Sequence, residues 1–173
     1  MDLRRLPTFH LSVSEVEPAV AYAGEREQFT VRIGGVHIPR GTKIRLLLGG
    51  GRGNATDWAP PQTTDPTAAE YTTAEASNGA KLSLKPLDWD ETKLVGLEIV
   101  PLDKDISADD IITIRLGDTS EGCPGSTPQT FSQLKRHFHV LIQHADAWHR
   151  AENPPTLEVS GGPADRVRLI LPS

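Results

Sequence analysis

The sequence predicts an all-β fold, an antiparallel β-sandwich that is immunoglobulin-like or of a related Greek-key type. Apolar residues recur at every second position in many short segments, which is the period of a β-strand. The 15 glycines and 14 prolines supply the turns that such a fold needs. No segment has the period of a long amphipathic helix, so a parallel sheet with crossover helices is not expected. Strands with one apolar face bury that face against a second sheet, which favours a sandwich.

The alternation marks roughly nine short strands in a single β-sandwich domain that spans residues 1–173. The first strand begins near residue 11, and the others cover residues 29–33, 44–48, 82–84, 95–99, 112–116, 138–142, 157–159 and 167–171. The dipeptide Asn78-Gly79 is typical of a tight hairpin, and we expect it to join segments 71–75 and 80–85.

Two connections are too long for hairpins, and we expect them to carry the function. One covers residues 49–69, and the other covers residues 117–133. The second loop lies between two clear strand patterns, at 111–116 and 136–142. Loops longer than about 12–15 residues are uncommon in compact domains and are often functional.

Charge and composition exclude several classes of partner. The formal net charge is −5 and the basic residues are scattered, so we expect no nucleic-acid binding. No run approaches the roughly 18 apolar residues of a membrane span, and no apolar segment of the signal-peptide type follows the first arginines. The single cysteine, Cys123, cannot form an internal disulfide. These features predict a cytoplasmic protein, and association into a homo-oligomer is compatible with them.

Four histidines near the carboxyl terminus are the candidate metal ligands. His137 and His139 are two residues apart on a predicted strand, so both side chains point to the face opposite Phe138. His144 and His149 follow within a short distance. Imidazole nitrogens bind divalent metals such as zinc or manganese, but a site needs three or four convergent ligands. The alternative is a polar strand face followed by a polar loop, with no cofactor.

Asp118 and Cys123 are the reactive side chains of loop 117–133. Asp118 follows a strand and precedes Thr119 and Ser120, a position where a short carboxylate accepts hydrogen bonds from the next backbone N–H groups. The alternative role of Asp118 is ligand binding or general-base chemistry. Cys123 lies between Gly122 and Pro124, and we expect this part of the loop to be exposed. A nucleophilic role for Cys123 needs a neighbouring base, which His137 or His139 could supply if the loop folds back.

The three tryptophans, Trp58, Trp89 and Trp148, all lie in or beside predicted loops. Aromatic side chains with polar neighbours form platforms for sugars or partner proteins. A loop tryptophan can equally close the open end of a sandwich core. Trp58 and Trp148 are the stronger binding candidates because each lies beside a segment to which we assign function.

Short motifs across most of the chain resemble those of a known bacterial domain. They are Ile112-Thr113-Ile114-Arg115-Leu116-Gly117-Asp118-Thr119-Ser120, Gly122, Pro124-Gly125, Gln129-Thr130-Phe131, Asp65-Pro66-Thr67, Tyr71-Thr72-Thr73, Pro155-Thr156-Leu157-Glu158-Val159 and Gly162-Pro163-Ala164-Asp165-Arg166-Val167. The pattern resembles the amino-terminal β-sandwich of large uncharacterised bacterial proteins that also carry a module similar to PHP-type metal-dependent phosphoesterases. This chain ends at Ser173, so we expect that module to be absent here. The resemblance implies a β-sandwich that assists or recruits an enzyme, and it carries over no catalytic residue.

We therefore expect a non-catalytic accessory or interaction domain, the small subunit or recruiting partner of a separately encoded catalytic subunit. The expected contact surface consists of the two long loops with Trp58, Asp118 and Trp148. Two alternatives stay open. One is a metal-dependent enzyme, or half of an enzyme site, built on the strand that carries His137 and His139. The other is a carbohydrate-binding module that uses the tryptophans.

Overall fold

The computed structural model describes residues 2–50, 58–87 and 89–162, and in these residues the fold is all-β, as predicted. The strands are β1 (Thr8–Phe9), β2 (Val13–Glu17), β3 (Val20–Tyr22), β4 (Phe29–Gly34), β5 (Ile44–Gly50), β6 (Thr72–Ala76), β7 (Leu82–Pro86), β8 (Leu94–Pro101), β9 (Ile111–Leu116), β10 (Gln133–His137), β11 (His139–His144), β12 (Ala147–Ala151) and β13 (Thr156–Ser160). Helical structure in the same residues is limited to single turns at Leu3–Arg5, Trp89–Thr92 and Thr119–Glu121. None of these helices is long and apolar enough to cross a membrane.

The strands form three sheets in a sandwich-like arrangement. The six-stranded sheet has the order β1-β12-β11-β5-β8-β7, the four-stranded sheet has the order β2-β4-β9-β6, and the three-stranded sheet has the order β10-β13-β3. Most neighbours are antiparallel, as predicted. However, β1 pairs with β12 and β3 pairs with β13 in parallel, so two of the sheets are mixed.

One apolar core lies between the inner faces of all three sheets. Its largest fully buried side chains are Trp58, Phe29, Phe138, Leu11, Ile33, Ile44, Leu46, Leu48, Leu97, Ile99, Ile106 and Ile112. The strict alternation of β9, in which every second residue from Ile112 is buried, shows why the period of two identified the central strands. Fully burying one such side chain stabilises the fold by roughly 1.5–3 kcal/mol.

Several strand predictions need correction. The structure describes thirteen strands rather than about nine, because β1 and β3 have only two and three residues, β10 lies at the edge of its sheet, and β12 shows no alternation of buried and exposed residues. The predicted strand at 167–171 lies outside the described residues.

The predicted hairpin at Asn78-Gly79 is wrong, although the turn itself forms. Gly79 has a φ of 71°, and its N–H donates to the carbonyl of Ala76 at 2.8 Å. The two flanking strands do not pair with each other. β6 pairs with β9 in the four-stranded sheet, whereas β7 pairs with β8 in the six-stranded sheet. The turn therefore carries the chain from one layer of the sandwich to the other.

Candidate functional site

The two long loops are joined to each other by the carboxylate of Glu70. That carboxylate accepts hydrogen bonds from the hydroxyl groups of Ser126 at 2.7 Å and Thr127 at 2.8 Å, and from the Thr127 N–H at 3.1 Å. In addition, the backbone N–H of Glu70 donates to the carbonyl of Gly125 at 3.1 Å. Glu70 itself has a φ of 69°, which turns the chain sharply at this point. Glu70, which directly follows loop 49–69, thus connects that loop to the middle of loop 117–133.

Trp58 lies in the core beneath this junction. Its indole is fully buried and packs edge-to-face against Phe29 and Phe138, with ring centroids 5.0 Å apart in both pairs. The indole N–H donates to the Ser126 hydroxyl at 3.0 Å, which satisfies the polar atom of an otherwise apolar ring. This arrangement matches the core-closing role rather than a binding platform, because the ring offers no surface to a ligand. Residues 51–57, the preceding part of the loop, lie outside the described residues.

Asp118 caps the short helical turn Thr119–Glu121. Its side chain accepts a hydrogen bond from the Ser120 N–H at 3.1 Å and from the Thr73 hydroxyl at 2.5 Å. Burial raises the pKa of Asp118, but the hydrogen bonds from Thr73 and Ser120 outweigh burial and hold that pKa below its usual value of 3.8. The carboxylate is buried and its contacts are those of an Asx turn, so the geometry matches the structural role that the sequence suggests.

The expectation that Cys123 is exposed is wrong. The thiol is buried, and the contacts of its sulfur are with the backbone of Gly125, whose N–H lies 3.3 Å from Sγ. Gly122 and Gly125 have φ values of 102° and 104°, so the chain curls around the sulfur. The loop buries Cys123 because these two glycines adopt backbone conformations that other residues disfavour.

The four candidate histidines form two separate pairs. The imidazole centroids of His137 and His139 are 6.0 Å apart, and those of His144 and His149 are 5.8 Å apart. His139 and His144 begin and end β11, so about 16 Å of strand separates these two histidines. His149 lies opposite Ile142, three residues after His139. Among the residues that the structure describes, no three His, Cys, Asp or Glu side chains are placed to hold one metal ion. The four histidines therefore do not converge on the shared site considered above.

The first pair lies where the chain passes from one sheet to another. His137 ends β10 in the three-stranded sheet, and His139 begins β11 in the six-stranded sheet. Burial lowers the pKa of His139 below its usual value of 6.5, and nearby positive charges lower that pKa further. Those charges belong to His137, Arg150 and Arg136. The sequence pattern treats 136–142 as one strand, which hides this change of sheet at Phe138.

Trp148 lies on the outer surface of the six-stranded sheet, with one face covered by Arg45. The guanidinium carbon of Arg45 is 4.4 Å from the indole centroid. Arg45 also donates two hydrogen bonds to one carboxylate oxygen of Glu98, at 3.1 and 3.0 Å. The cation–π contact and the ion pair occupy one face of the ring, so a sugar could stack on at most the other face.

An apolar patch that the sequence did not indicate lies on the three-stranded sheet. Five large apolar side chains are exposed in the described part of the chain, and four of them lie on or next to this sheet: Val20 and Tyr22 on β3, Leu134 on β10, and Phe131 just before β10. The fifth, Leu102, follows β8 on another sheet. The three residues of β3 are too few to show alternation, and Leu134 stands between polar residues, so no sequence signal identifies the patch.

Comparisons with known proteins assign no family to this chain. No protein-family model matches it, and no curated protein matches it. The resemblance to the amino-terminal domain of large bacterial proteins therefore stays a prediction that rests on the short motifs given above.

Proposed function

We propose that this chain is a non-catalytic interaction domain that binds a separate protein chain through the outer face of its three-stranded sheet. We call this surface the β3–β10 face and define it by Val20, Tyr22, Phe131, Leu134 and Glu158. The single observation that carries the proposal is the grouping of four of the five exposed large apolar side chains on one small sheet. Single exposed apolar residues are ordinary on protein surfaces, whereas a group of them on one face is typical of a binding site.

The register of the sheet explains why these side chains point outward together. Val20 lies opposite Glu158, and Tyr22 lies opposite Ser160. On the other side of β13, Gln133 lies opposite Val159 and Arg136 lies opposite Leu157. The inner set, Ala21, Leu157 and Val159, is buried in the core. The outer set therefore has its position fixed by core packing, which lowers the entropy cost of binding.

The chemistry of the face indicates what kind of surface it fits. Glu158 lies on the central strand, opposite Val20 on one neighbouring strand, and Leu134 lies on the other neighbouring strand, in the irregular stretch between Gln133 and Arg136. A partner would present apolar side chains to Val20 and Leu134 and a lysine or arginine to Glu158, because complementary charge favours the correct register. Leu134 is 81% exposed, so its burial would contribute about 1.5–3 kcal/mol to binding.

The size of the face sets a further requirement. Two strands of five residues and one of three cover at most roughly 10 by 17 Å, which is less than the roughly 800 Å² that each partner contributes to a stable interface. A partner must therefore also contact neighbouring surface, and loop 117–133, which contributes Phe131, is the adjoining segment. Loop 117–133 is also part of the contact surface that the sequence suggests, so the two proposed surfaces overlap.

An accessory role agrees with the resemblance to one module of a larger enzyme-like protein. In this proposal the partner is a separately encoded catalytic chain. The chain itself is a β-sandwich of immunoglobulin-like or related Greek-key type, located in the cytoplasm.

Site-specific crosslinking tests the proposal. A photoreactive phenylalanine analogue is introduced at position 134 or, as a control, at position 102, and the chain is irradiated in cells of its natural host. Both positions carry an exposed leucine, with 81% and 58% of its surface accessible, so reactivity alone does not favour either. We expect one protein of different sequence to crosslink at position 134 and not at position 102.

The purified crosslinked protein then allows a quantitative check. We expect Leu134→Asp to weaken its binding by at least about tenfold, and Leu102→Asp to change binding by less than about twofold. Equal crosslinking at both positions, crosslinks only between copies of this chain, or turnover of a substrate by this chain alone would contradict the proposal.

A further inference from the structure

Asn78, in the turn between β6 and β7, is the one asparagine of the sequence that precedes a glycine. The other two asparagines, Asn54 and Asn153, precede Ala55 and Pro154. A glycine has no Cβ atom, so its backbone nitrogen reaches the amide carbon of a preceding asparagine with the least steric hindrance. The nitrogen of a proline carries no hydrogen and cannot react in this way. The sequence therefore places its most reactive asparagine side chain in this turn.

The reaction that this dipeptide favours needs water and no other partner. The nitrogen of Gly79 gives up its proton and forms a bond to Cγ of Asn78, while the bond from Cγ to Nδ2 breaks and Nδ2 leaves as ammonia with that proton. Water then adds to one of the two carbonyl groups of the succinimide ring and opens it. The product is aspartate or isoaspartate, depending on which carbonyl takes up the water. One amide is hydrolysed overall, and no electrons are transferred.

The folded turn engages both of the groups that must meet. The N–H of Gly79 donates to the carbonyl of Ala76 at 2.8 Å. The Oδ1 atom of Asn78 accepts a hydrogen bond from the N–H of Ala80 at 2.9 Å. Ring closure has to break the first bond and rotate the amide out of the second. The reaction therefore requires a local opening of the turn.

The leaving group is held by the loop between β8 and β9. The Nδ2 atom of Asn78 donates to the carbonyl of Asp105 at 3.0 Å and to the carboxylate of Asp110 at 2.9 Å. Asp110 also accepts hydrogen bonds from the hydroxyl and the N–H of Ser107, at 2.7 and 2.8 Å, and these bonds hold its pKa below the usual 3.8. A charged carboxylate is thus fixed beside the amide at neutral pH.

These contacts connect two places where the chain crosses between sheets. The turn of Asn78 joins β6 to β7, and the loop of Asp105 and Asp110 joins β8 to β9. After deamidation, a carboxylate at position 78 would face the carboxylate of Asp110 and the carbonyl of Asp105 without a proton to share. The ammonium of Lys104 is bound to the backbone carbonyl of Asn78, at 2.5 Å. Loss of the shared donor leaves buried or half-buried acceptors facing each other, which is costly.

We propose that Asn78 is a modification site, at which water converts asparagine to aspartate and isoaspartate at a rate that the folded turn controls. Openings of the turn allow the reaction, and its products disfavour closing, so the change is irreversible and loosens both crossings. None of the residues involved belongs to the β3–β10 face, so this site is independent of the proposed function.

Mass spectrometry of the full chain, incubated at mildly alkaline pH with and without denaturing urea, tests the proposal. The readout is the fraction of the peptide around Asn78 in which OH has replaced NH2. We expect this conversion to be at least about tenfold slower in the native chain than in urea, because opening must precede it. Asn153 is the internal control, and in urea it should convert more slowly than Asn78 because Pro154 follows it.

A matched pair of variants tests whether the loop contact sets the rate. We expect Asp110→Ala to accelerate conversion in the native chain by at least about threefold, because the amide of Asn78 loses a charged acceptor. Asp109→Ala changes an exposed neighbour and should leave the native rate unchanged. In urea the two variants should react at the same rate.

The variant Asn78→Asp reproduces one product and tests its effect on the fold. We expect it to lower Tm at neutral pH by at least about 2 °C, because two carboxylates then face each other. Adding Asp110→Asn restores a donor between the two positions and should recover at least about half of the loss. Adding Asp109→Asn removes one negative charge outside the contact and should recover clearly less.

Four results would overturn the inference. They are equal conversion rates in the native and unfolded chain, absence of conversion at Asn78 in urea, an unchanged Tm in Asn78→Asp, and equal recovery by Asp110→Asn and Asp109→Asn. None of these results bears on crosslinking at position 134, so this inference and the proposed function can fail separately.

Discussion

The carboxylate of Glu70 shows how much of the loop structure depends on one residue. It accepts three hydrogen bonds from Ser126 and Thr127 and thereby connects the two longest loops. Nothing in the sequence around residue 70 marks it, because its partners lie more than fifty residues away. A carboxylate becomes a structural residue here through tertiary contacts alone.

We expect Glu70→Ala to destabilise the fold by about 2–3 kcal/mol, because two hydroxyl groups and one backbone N–H lose a charged acceptor. Denaturant unfolding followed by circular dichroism measures this loss. Glu75→Ala is the control, since Glu75 forms an ion pair with Arg115 at the surface and should contribute less than about 1 kcal/mol. Equal losses in the two variants would show that the Glu70 contacts do not hold the loops.

Trp58 and Trp148 allow a second comparison at the scale of single residues. We expect Trp58→Ala to cost about 3–5 kcal/mol, because it leaves a cavity between Phe29 and Phe138 and removes the bond to Ser126. Trp148→Ala should cost about 1 kcal/mol, since the main loss is an outer-surface contact with Arg45. The midpoints of guanidinium chloride unfolding test this order, and a smaller effect at position 58 than at position 148 would contradict the core assignment of Trp58.

His139 makes stability depend on pH in a definite direction. Its pKa in the folded chain is lower than the usual 6.5, chiefly because the ring is buried. As the pH falls below about 6.5, the unfolded chain takes up a proton that the folded chain does not, so the free energy of unfolding decreases. The stability that the neutral His139 ring contributes is fully present above pH 6.5, and it is lost as the pH falls towards the pKa of His139 in the folded chain. Asp118, whose pKa is below 3.8, changes stability only in a more acidic range.

We therefore expect Tm to decrease between about pH 7.5 and pH 5, and the decrease to be smaller in His139→Gln. His149→Gln is the control, because it removes a histidine of the second pair. Thermal unfolding in buffers of constant ionic strength gives the comparison. A steeper decrease in His139→Gln than in the unmodified chain would show that the sign is wrong.

At the scale of secondary-structure elements, close contact between neighbouring strands constrains one glycine strongly. Gly96 on β8 faces β5, and a Cβ atom at this position would lie 2.1 Å from the carbonyl oxygen of Leu46. The register of β5 against β8 shifts between Leu47 and Gly49, next to this contact. A glycine in a strand that otherwise reads as alternating thus marks a site where two backbones approach.

We expect Gly96→Ala to destabilise the fold by at least about 2 kcal/mol, since backbone rather than a flexible side chain has to move. Gly161→Ala is a suitable control, because the nearest atom to its Cβ would be the Ser132 hydroxyl at 3.2 Å. Urea unfolding of both variants measures the difference. An unchanged free energy of unfolding in Gly96→Ala would mean that the backbones of β5 and β8 can move apart at little cost.

At the scale of the whole molecule, the chain crosses repeatedly between the sheets. It passes from the three-stranded to the six-stranded sheet between β10 and β11, and it returns between β12 and β13. It also crosses between β6 and β7 at the turn of Asn78-Gly79. Because one core lies between all three sheets, no sheet can unfold separately without exposing the apolar faces of the other two to water.

We therefore expect the sandwich to unfold in one cooperative transition. Circular dichroism reports on all strands, and the change in tryptophan fluorescence includes the exposure of the buried Trp58, so the two signals should have the same midpoint within error. Two separated transitions, or a calorimetric enthalpy well above the van't Hoff enthalpy, would show that the molecule contains more than one folding unit.

The sequence by itself determined the fold class and most of the central strands. In segments such as 29–33, 44–48 and 112–116, every second residue is apolar, and the position of a side chain on a strand depends only on its neighbours along the chain. The Asx turn at Asp118 and the turn at Gly79 are also local, so residue type was sufficient to predict them.

Only the tertiary structure decided which strands pair, which loop residues are buried and which side chains meet. The separation of the four histidines follows from the length of β11. The burial of Trp58 and Cys123 follows from the path of two loops over the core. The apolar patch follows from a sheet whose strands come from three distant segments. These features depend on contacts between residues far apart in the chain. Their free energy is a property of the assembled core, which no local pattern of residues encodes.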